Sequence, residues 1–153
     1  MRLPATPLKV LARRGLVCLG ALVTWSHAAA DPMLAGCWQA VRIVLYTNDG
    51  GKMEDTSGRC TLRFEAERLT STCVTSTGTA TTTYGYRTIR PDAYVTTMTG
   101  SSFRTDLLGS TREYGYRIDG DRLFTVTTPP SAASPAPTGT RRVESEATRI
   151  ACP

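Results

Sequence analysis

The chain has 153 residues and a formal charge of +5, from 18 Lys and Arg against 13 Asp and Glu. Arg2, Lys9, Arg13 and Arg14 stand in the first 30 residues with no acid, which leaves 14 bases, 13 acids and a charge of +1 from Asp31 onward. That near-neutral remainder is long enough for one small core and carries no basic stripe for nucleic acid.

The N-terminus comes first in chain order. Residues 15–25 are an apolar run, followed by Ser26-His27-Ala28-Ala29-Ala30. Basic start, apolar run and small residues, with Ala28 and Ala30 at the −3 and −1 positions, form the pattern of a secretory signal peptide. The apolar run is too short for a membrane span, which needs about 20 residues. The sequence thus predicts a cleaved leader over 1–30 and one exported domain over 31–153, periplasmic or secreted and not membrane-spanning. Two rival readings are weaker. Arg13-Arg14 resembles a twin-arginine signal but has poorly fitting flanks, and Cys18 as a lipid-bearing cysteine follows Val17 where a small residue is needed. The only histidine, His27, falls in the leader. The exported part therefore lacks the commonest general base near neutral pH and the commonest zinc ligand. No metal, no cofactor and no catalytic residue is expected.

Cys37, Cys60, Cys73 and Cys152 remain. An even number in an exported chain reads as disulfides, and the close CxxC pairs that zinc would want are missing. From Gly36 onward the chain is rich in Thr, Val, Tyr and Ile, broken by Gly, Asp and Pro, without a long helical period. Short strands between turn signals predict an all-β barrel or sandwich. The first strand is expected over 37–47, ending at the turn Asn48-Asp49-Gly50-Gly51. A hairpin over 60–64 and 69–73 pairs Phe64 with Leu69, Leu62 with Ser71 and Cys60 with Cys73. A Cys60–Cys73 bridge follows from that register, since cross-strand neighbours lie about 4.5–5.5 Å apart. Elimination leaves Cys37–Cys152, which ties the first strand to the last residues.

Strands are expected next over 79–89 and 93–99, then a looser connection over 100–110. A second hairpin over 111–118 and 122–127 turns at Asp119-Gly120-Asp121. A two-residue loop there is read as setting Tyr116 against Leu123, a three-residue loop against Phe124. The Pro/Ala/Ser-rich segment 129–139 cannot be a central strand, because proline lacks the donor, and is expected as a stiff loop. Residues 140–152 supply the eighth strand.

The tetrapeptide Tyr-Gly-Tyr-Arg occurs twice, at 84–87 and 114–117. In the second copy alternation puts Tyr114, Tyr116 and Ile118 on one face and Glu113, Gly115, Arg117 and Asp119 on the other. The tyrosines therefore point inward. They either fill the core of two bent strands or line a cup with their hydroxyls turned to a ligand. Gly85 and Gly115 suit sharply curved strands.

Leu34-Ala35-Gly36-Cys37-Trp38 resembles the G-x-W opening of lipocalins and lipocalin-like (calycin) domains. Asp49-Gly50, residues 118–123 and the meander order of the strands are similar to small bacterial lipocalin-like proteins. The resemblance implies an eight-stranded antiparallel meander barrel with Trp38 at its closed end. It also implies an arginine of a late strand over that ring, and Arg141, Arg142 and Arg149 are equally eligible. The functional expectation is an exported, non-catalytic binding protein that holds a small apolar or amphipathic ligand in the barrel mouth. Tyr84, Tyr86, Tyr114, Tyr116 and Phe124 would line that mouth, with Trp38 at its base. The alternative is a protein–protein interaction module, an inhibitor or effector-type partner of a periplasmic or secreted protein, built on a filled barrel.

Overall fold

Alternating residues and frequent turns make each strand pair with its neighbour in sequence. The computed structural model describes residues 31–127 and 140–153. The predicted leader, 1–30, and the proline-rich segment, 129–139, lie outside the described residues. The strands are β1 (Gly36–Thr47), β2 (Lys52–Asp55), β3 (Cys60–Phe64), β4 (Arg68–Thr75), β5 (Gly78–Arg90), β6 (Ala93–Ser101), β7 (Thr111–Asp119), β8 (Arg122–Thr127) and β9 (Thr140–Ile150). One 3-10 turn, Thr105–Leu107, lies between β6 and β7. From β3 to β9 each strand pairs antiparallel with the next. β1 pairs with β3 on one side and with β9 on the other, from Cys37↔Ile150 to Thr47↔Thr140. β1 and β3 to β9 thereby close an eight-stranded barrel, as the sequence predicts.

β2 is an addition that the sequence reading does not foresee. Residues 52–55 are exposed throughout and show no apolar alternation. Pairing alone makes them a strand. Gly50, at φ 85°, reverses the chain, and Lys52 to Asp55 dock on the second half of β1 from Tyr46 to Ile43. The first half, Gly36 to Ala40, pairs with β3 instead. A bulge between Ala40 and Arg42 marks the junction. Its extra residue shifts the alternation, so Arg42 turns outward to Glu54 at 2.6 Å.

The β3–β4 hairpin has the expected register, Phe64↔Leu69, Leu62↔Ser71 and Cys60↔Cys73. Both expected disulfides are present, Cys60–Cys73 and Cys37–Cys152, the second spanning 115 residues of sequence. The β7–β8 hairpin differs from both expected pairings. Asp119 faces Arg122 across a two-residue loop with Gly120 at φ 58°. Ile118 then lies opposite Leu123, Arg117 opposite Phe124, and Tyr116 opposite Thr125. The pairing counts outward from the loop, so Tyr116 cannot meet either apolar residue.

The closed end is packed solid. Leu34, Trp38, Leu123 and Ala147 are fully buried, and Phe64 nearly so. The Trp38 indole donates to the Leu34 carbonyl at 2.8 Å. Arg149 lies with its guanidinium 4.0 Å from the centre of the Trp38 ring. It also donates to the carbonyls of Ala35 at 2.9 Å and Met33 at 2.6 Å. Of the three eligible arginines, the one on the ring is therefore Arg149. Arg142 pairs with Glu144 instead, at 2.5 Å. Gly36, at φ 115°, allows the approach: a Cβ there would stand 3.2 Å from Arg149 Nη1.

Candidate functional site

The inward residues form a filled lower half and a partly open upper half. In the lower half Phe64, Tyr86 and Tyr94 meet edge to face, with ring centres 5.4–6.0 Å apart. Each such contact contributes about 0.5–1.5 kcal/mol beyond burial. Tyr94 stands outside both tetrapeptides and carries no signal of its own in the sequence, yet it joins them. It stacks on Tyr114 at 5.2 Å and lies 5.7 Å from Tyr116. Its neighbours in register are Thr88 on β5 and Tyr114 on β7.

The two tetrapeptides divide their tyrosines by height. The Tyr86 hydroxyl donates to the Glu65 carbonyl at 2.7 Å. The Tyr116 hydroxyl donates to the Asp31 carboxylate at 2.6 Å. Both hydroxyls are committed to the closed end, where Asp31 is also anchored by its backbone N–H to Thr88 Oγ1 at 3.2 Å. Tyr84 and Tyr114 instead face the upper half, where they line a cavity of about 340 Å³. Thr82, Thr96, Met98 and Arg112 continue its wall, and Leu45 reaches it from the opposite side of the barrel.

Alternation explains this lining. Tyr86↔Thr96 and Tyr84↔Met98 pair across β5–β6, and Thr96↔Arg112 and Tyr94↔Tyr114 pair across β6–β7. Arg112 is thus in step with Tyr114 and Tyr116 and turns inward with them. The sequence carries that signal in the spacing Arg112-x-Tyr114-x-Tyr116. The signal is easily passed over, because an inward arginine contradicts the usual rule for charged residues.

The connection after β6 roofs one side of the cavity. Met98 and Ser110 share a hydrogen bond at 2.9 Å, Gly109 donates to the Met98 carbonyl at 2.8 Å, and Ser102 and Thr81 bond at 2.9 Å. Leu107 and Phe103 from this connection touch the cavity, as does Arg104. The Arg104 guanidinium is held by the Asp106 carboxylate through bonds of 2.9 and 2.8 Å. Arg112 has no carboxylate partner among the described residues.

The phenols around the cavity stay neutral. Burial pushes the Tyr114 hydroxyl up to about 12, with Tyr84 adding to the rise and Arg112 opposing it. Burial raises Tyr84 as well, against the pull of Thr82 and Arg112. Near neutral pH the wall therefore offers hydroxyl donors, apolar side chains and, in Arg112, one cation without a carboxylate partner among the described residues.

The remaining expected lining residues lie elsewhere. Trp38, Tyr86 and Tyr116 belong to the filled core of the closed end. Phe124 is on the outer wall, in step with Arg117 across β7–β8. The Arg117 and Arg122 guanidinium carbons lie 4.5 and 5.0 Å from its ring centre. An open groove of about 460 Å³ runs over that outer wall between Phe124, Val126, Glu144 and Arg42, with Gly115 in its floor. Although larger, the groove is shallower and faces solvent, and its charges are paired with residues beside it, as Arg42 is with Glu54 and Glu146 with Arg122. The inner cavity is the better candidate site. Among the described residues no group of three or more His, Cys, Asp or Glu is placed to hold a metal ion. No helix there is long and apolar enough to cross a membrane.

No protein-family model matches the sequence. No curated protein matches it either. Among solved structures, the chain is similar to a lipocalin-like protein from Bacteroides uniformis ATCC 8492, at 12% identity and TM-score 0.49 over 76% of this chain and 98% of the other. It is similar to an uncharacterized protein from Bacteroides eggerthii DSM 20697, at 10% identity and TM-score 0.48 over 76% and 99%. It is also similar to a de novo designed fluorescence-activating beta barrel, at 16% identity and TM-score 0.42 over 76% and 93%. In this chain itself, eight antiparallel strands close in meander order and a late arginine covers the tryptophan of the first strand, so the described residues have a lipocalin-like β-barrel fold.

Proposed function

We propose that this is an exported, non-catalytic binding protein that holds one small amphipathic molecule in the upper half of its barrel. The observation that carries the reading is the cavity of about 340 Å³ above the Tyr84 and Tyr114 rings. Its size falls at the lower end of ligand sites, about 300–1,000 Å³, and its lining mixes apolar side chains with a few convergent polar groups. An eight-stranded barrel has room for one such molecule when its own side chains do not fill it. Export is supported by the leader-like N-terminus and by two disulfides, which persist in oxidising compartments. A non-catalytic role is supported by the neutral phenols of the wall and by the lack of any imidazole from Asp31 onward.

The outer groove with its exposed path past Phe124 favours the second reading, a docking face for another protein. Methyl-resolved NMR titration with 1-decanol separates the two. Binding in the cup shifts the Met98 and Leu45 methyl signals, and the filling variant Thr96→Phe abolishes the shift while the fold persists. Shifts confined to Val126, or none with 1-decanol and with decanoate alike, would remove the cup reading.

A further inference from the structure

We infer that the cup selects a carboxylate-headed amphiphile, with Arg112 as the group that binds the head. This rests on the cup being a ligand site, and it adds the chemical class of the ligand. Three observations converge. Arg112 turns into the barrel, in register with Thr96 and in step with Tyr114. The other arginine at the cavity, Arg104, is neutralised by a two-point pair with Asp106. Arg112 has no such carboxylate among the described residues. A guanidinium presents a planar fork of donors that matches a carboxylate in a two-point bond, and it stays charged at any physiological pH. A guanidinium in a half-enclosed space with no carboxylate of its own is a ready partner for an anionic ligand, since a charge-assisted two-point bond is stronger than one between neutral groups.

The surroundings fit the rest of such a molecule. The Tyr114 hydroxyl beside Arg112 can donate to the same head. Leu45, Met98, Leu107 and Phe103 form the apolar part of the lining. At about 30 Å³ for a water-sized group, a cavity of about 340 Å³ takes roughly ten heavy atoms, the size of a medium-chain acid. Glu113, the nearest acid in sequence, faces the outer wall and pairs with Arg90 at 2.6 Å, so it does not compete for Arg112.

The test compares decanoate with 1-decanol and methyl decanoate, by isothermal titration and by the Met98 methyl shift. Charge-assisted hydrogen bonds to a guanidinium predict decanoate binding about tenfold or more tighter than either neutral probe. In Arg112→Met that preference disappears, and decanoate falls to the affinity of the neutral probes. Arg112→Lys keeps the charge without the fork and retains part of the preference. The comparison of the three probes on the unaltered protein stands alone should Arg112→Met fail to fold. Equal affinity for decanoate and 1-decanol, or a preference that survives Arg112→Met, overturns the assignment and leaves the cup intact as a neutral site. Binding of none of the three overturns both.

Discussion

Arg149 joins three parts of the molecule that are far apart in sequence, residues 33–38, Asp121 and its own strand. Its guanidinium covers Trp38 on β1 and donates to the carbonyls of Met33 and Ala35 in the segment before β1. Asp121 of the β7–β8 loop lies 3.7 Å from its Nε. These contacts seal the end at which Tyr86 and Tyr116 commit their hydroxyls. Replacing it by methionine keeps much of the stem but leaves two carbonyls without their donor and the indole without its cation. Charge-assisted bonds contribute about 1.5–3 kcal/mol and an exposed to half-buried cation–π contact about 0.5–2. With 30% of the side chain exposed, Arg149→Met should cost about 2–3 kcal/mol in urea unfolding. Trp38, the single tryptophan after residue 30, reports the change directly: its emission should shift with the variant still folded. An unchanged midpoint would mean that the clasp follows the fold without stabilising it.

The strands differ in what makes them strands, and this decides how much of the site could be read in advance. β3 and β4 are legible because apolar alternation, cysteine spacing and loop length agree on one register. β7 is legible in its facing, since Tyr114, Tyr116 and Ile118 recur at period two, and the same period already contains Arg112. Its pairing with β8 is not, because Asp119-Gly120-Asp121 leaves open which residues form the loop, and a shift of one residue moves Phe124 between the interior and the outer wall. The division of the tyrosines by height is also beyond the sequence. It depends on Glu65 and Asp31 arriving from distant loops to take the Tyr86 and Tyr116 hydroxyls. β2 is the opposite case from β3: its residues bury nothing, and its bonds to β1 and the Arg42–Glu54 pair are its visible support. Exposed ion pairs of this kind contribute about 0–1 kcal/mol. Amide hydrogen exchange should therefore show Lys52 to Asp55 losing protection by local opening, long before β5 and β6, whose Tyr86 and Tyr94 sit in the core. Equal protection in β2 and β5 would show that this flap opens only with the whole barrel.

The two halves of the barrel carry different burdens. The lower half supplies the packed aromatic core, and the upper half gives up part of that packing to leave a cavity. A chain of this size then has little apolar burial to spare, which is the setting in which disulfides matter most. The two bridges act on different scales. Cys60–Cys73 closes a loop of 13 residues within one hairpin, whereas Cys37–Cys152 closes 115 and spans nearly the entire described chain. Restricting the unfolded chain stabilises by about 3 kcal/mol for a short loop and about 4.7 for one of a hundred residues. The double variant Cys37→Ser, Cys152→Ser should therefore lose about 1–2 kcal/mol more than Cys60→Ser, Cys73→Ser, measured by urea unfolding at equal protein concentration. Ligand binding should follow the other order. Cys60 and Cys73 lie on the inward face of β3 and β4, in step with Leu62 and Ser71, so opening the hairpin bridge loosens the barrel wall itself. The long bridge ties β1 to the residues after β9 at the closed end, away from the cavity. A variant lacking only the long bridge should thus unfold earliest yet bind decanoate as well as the intact protein while it remains folded. If both properties fell together in that variant, the two halves would be one cooperative unit, and the separation of core from cup would be wrong.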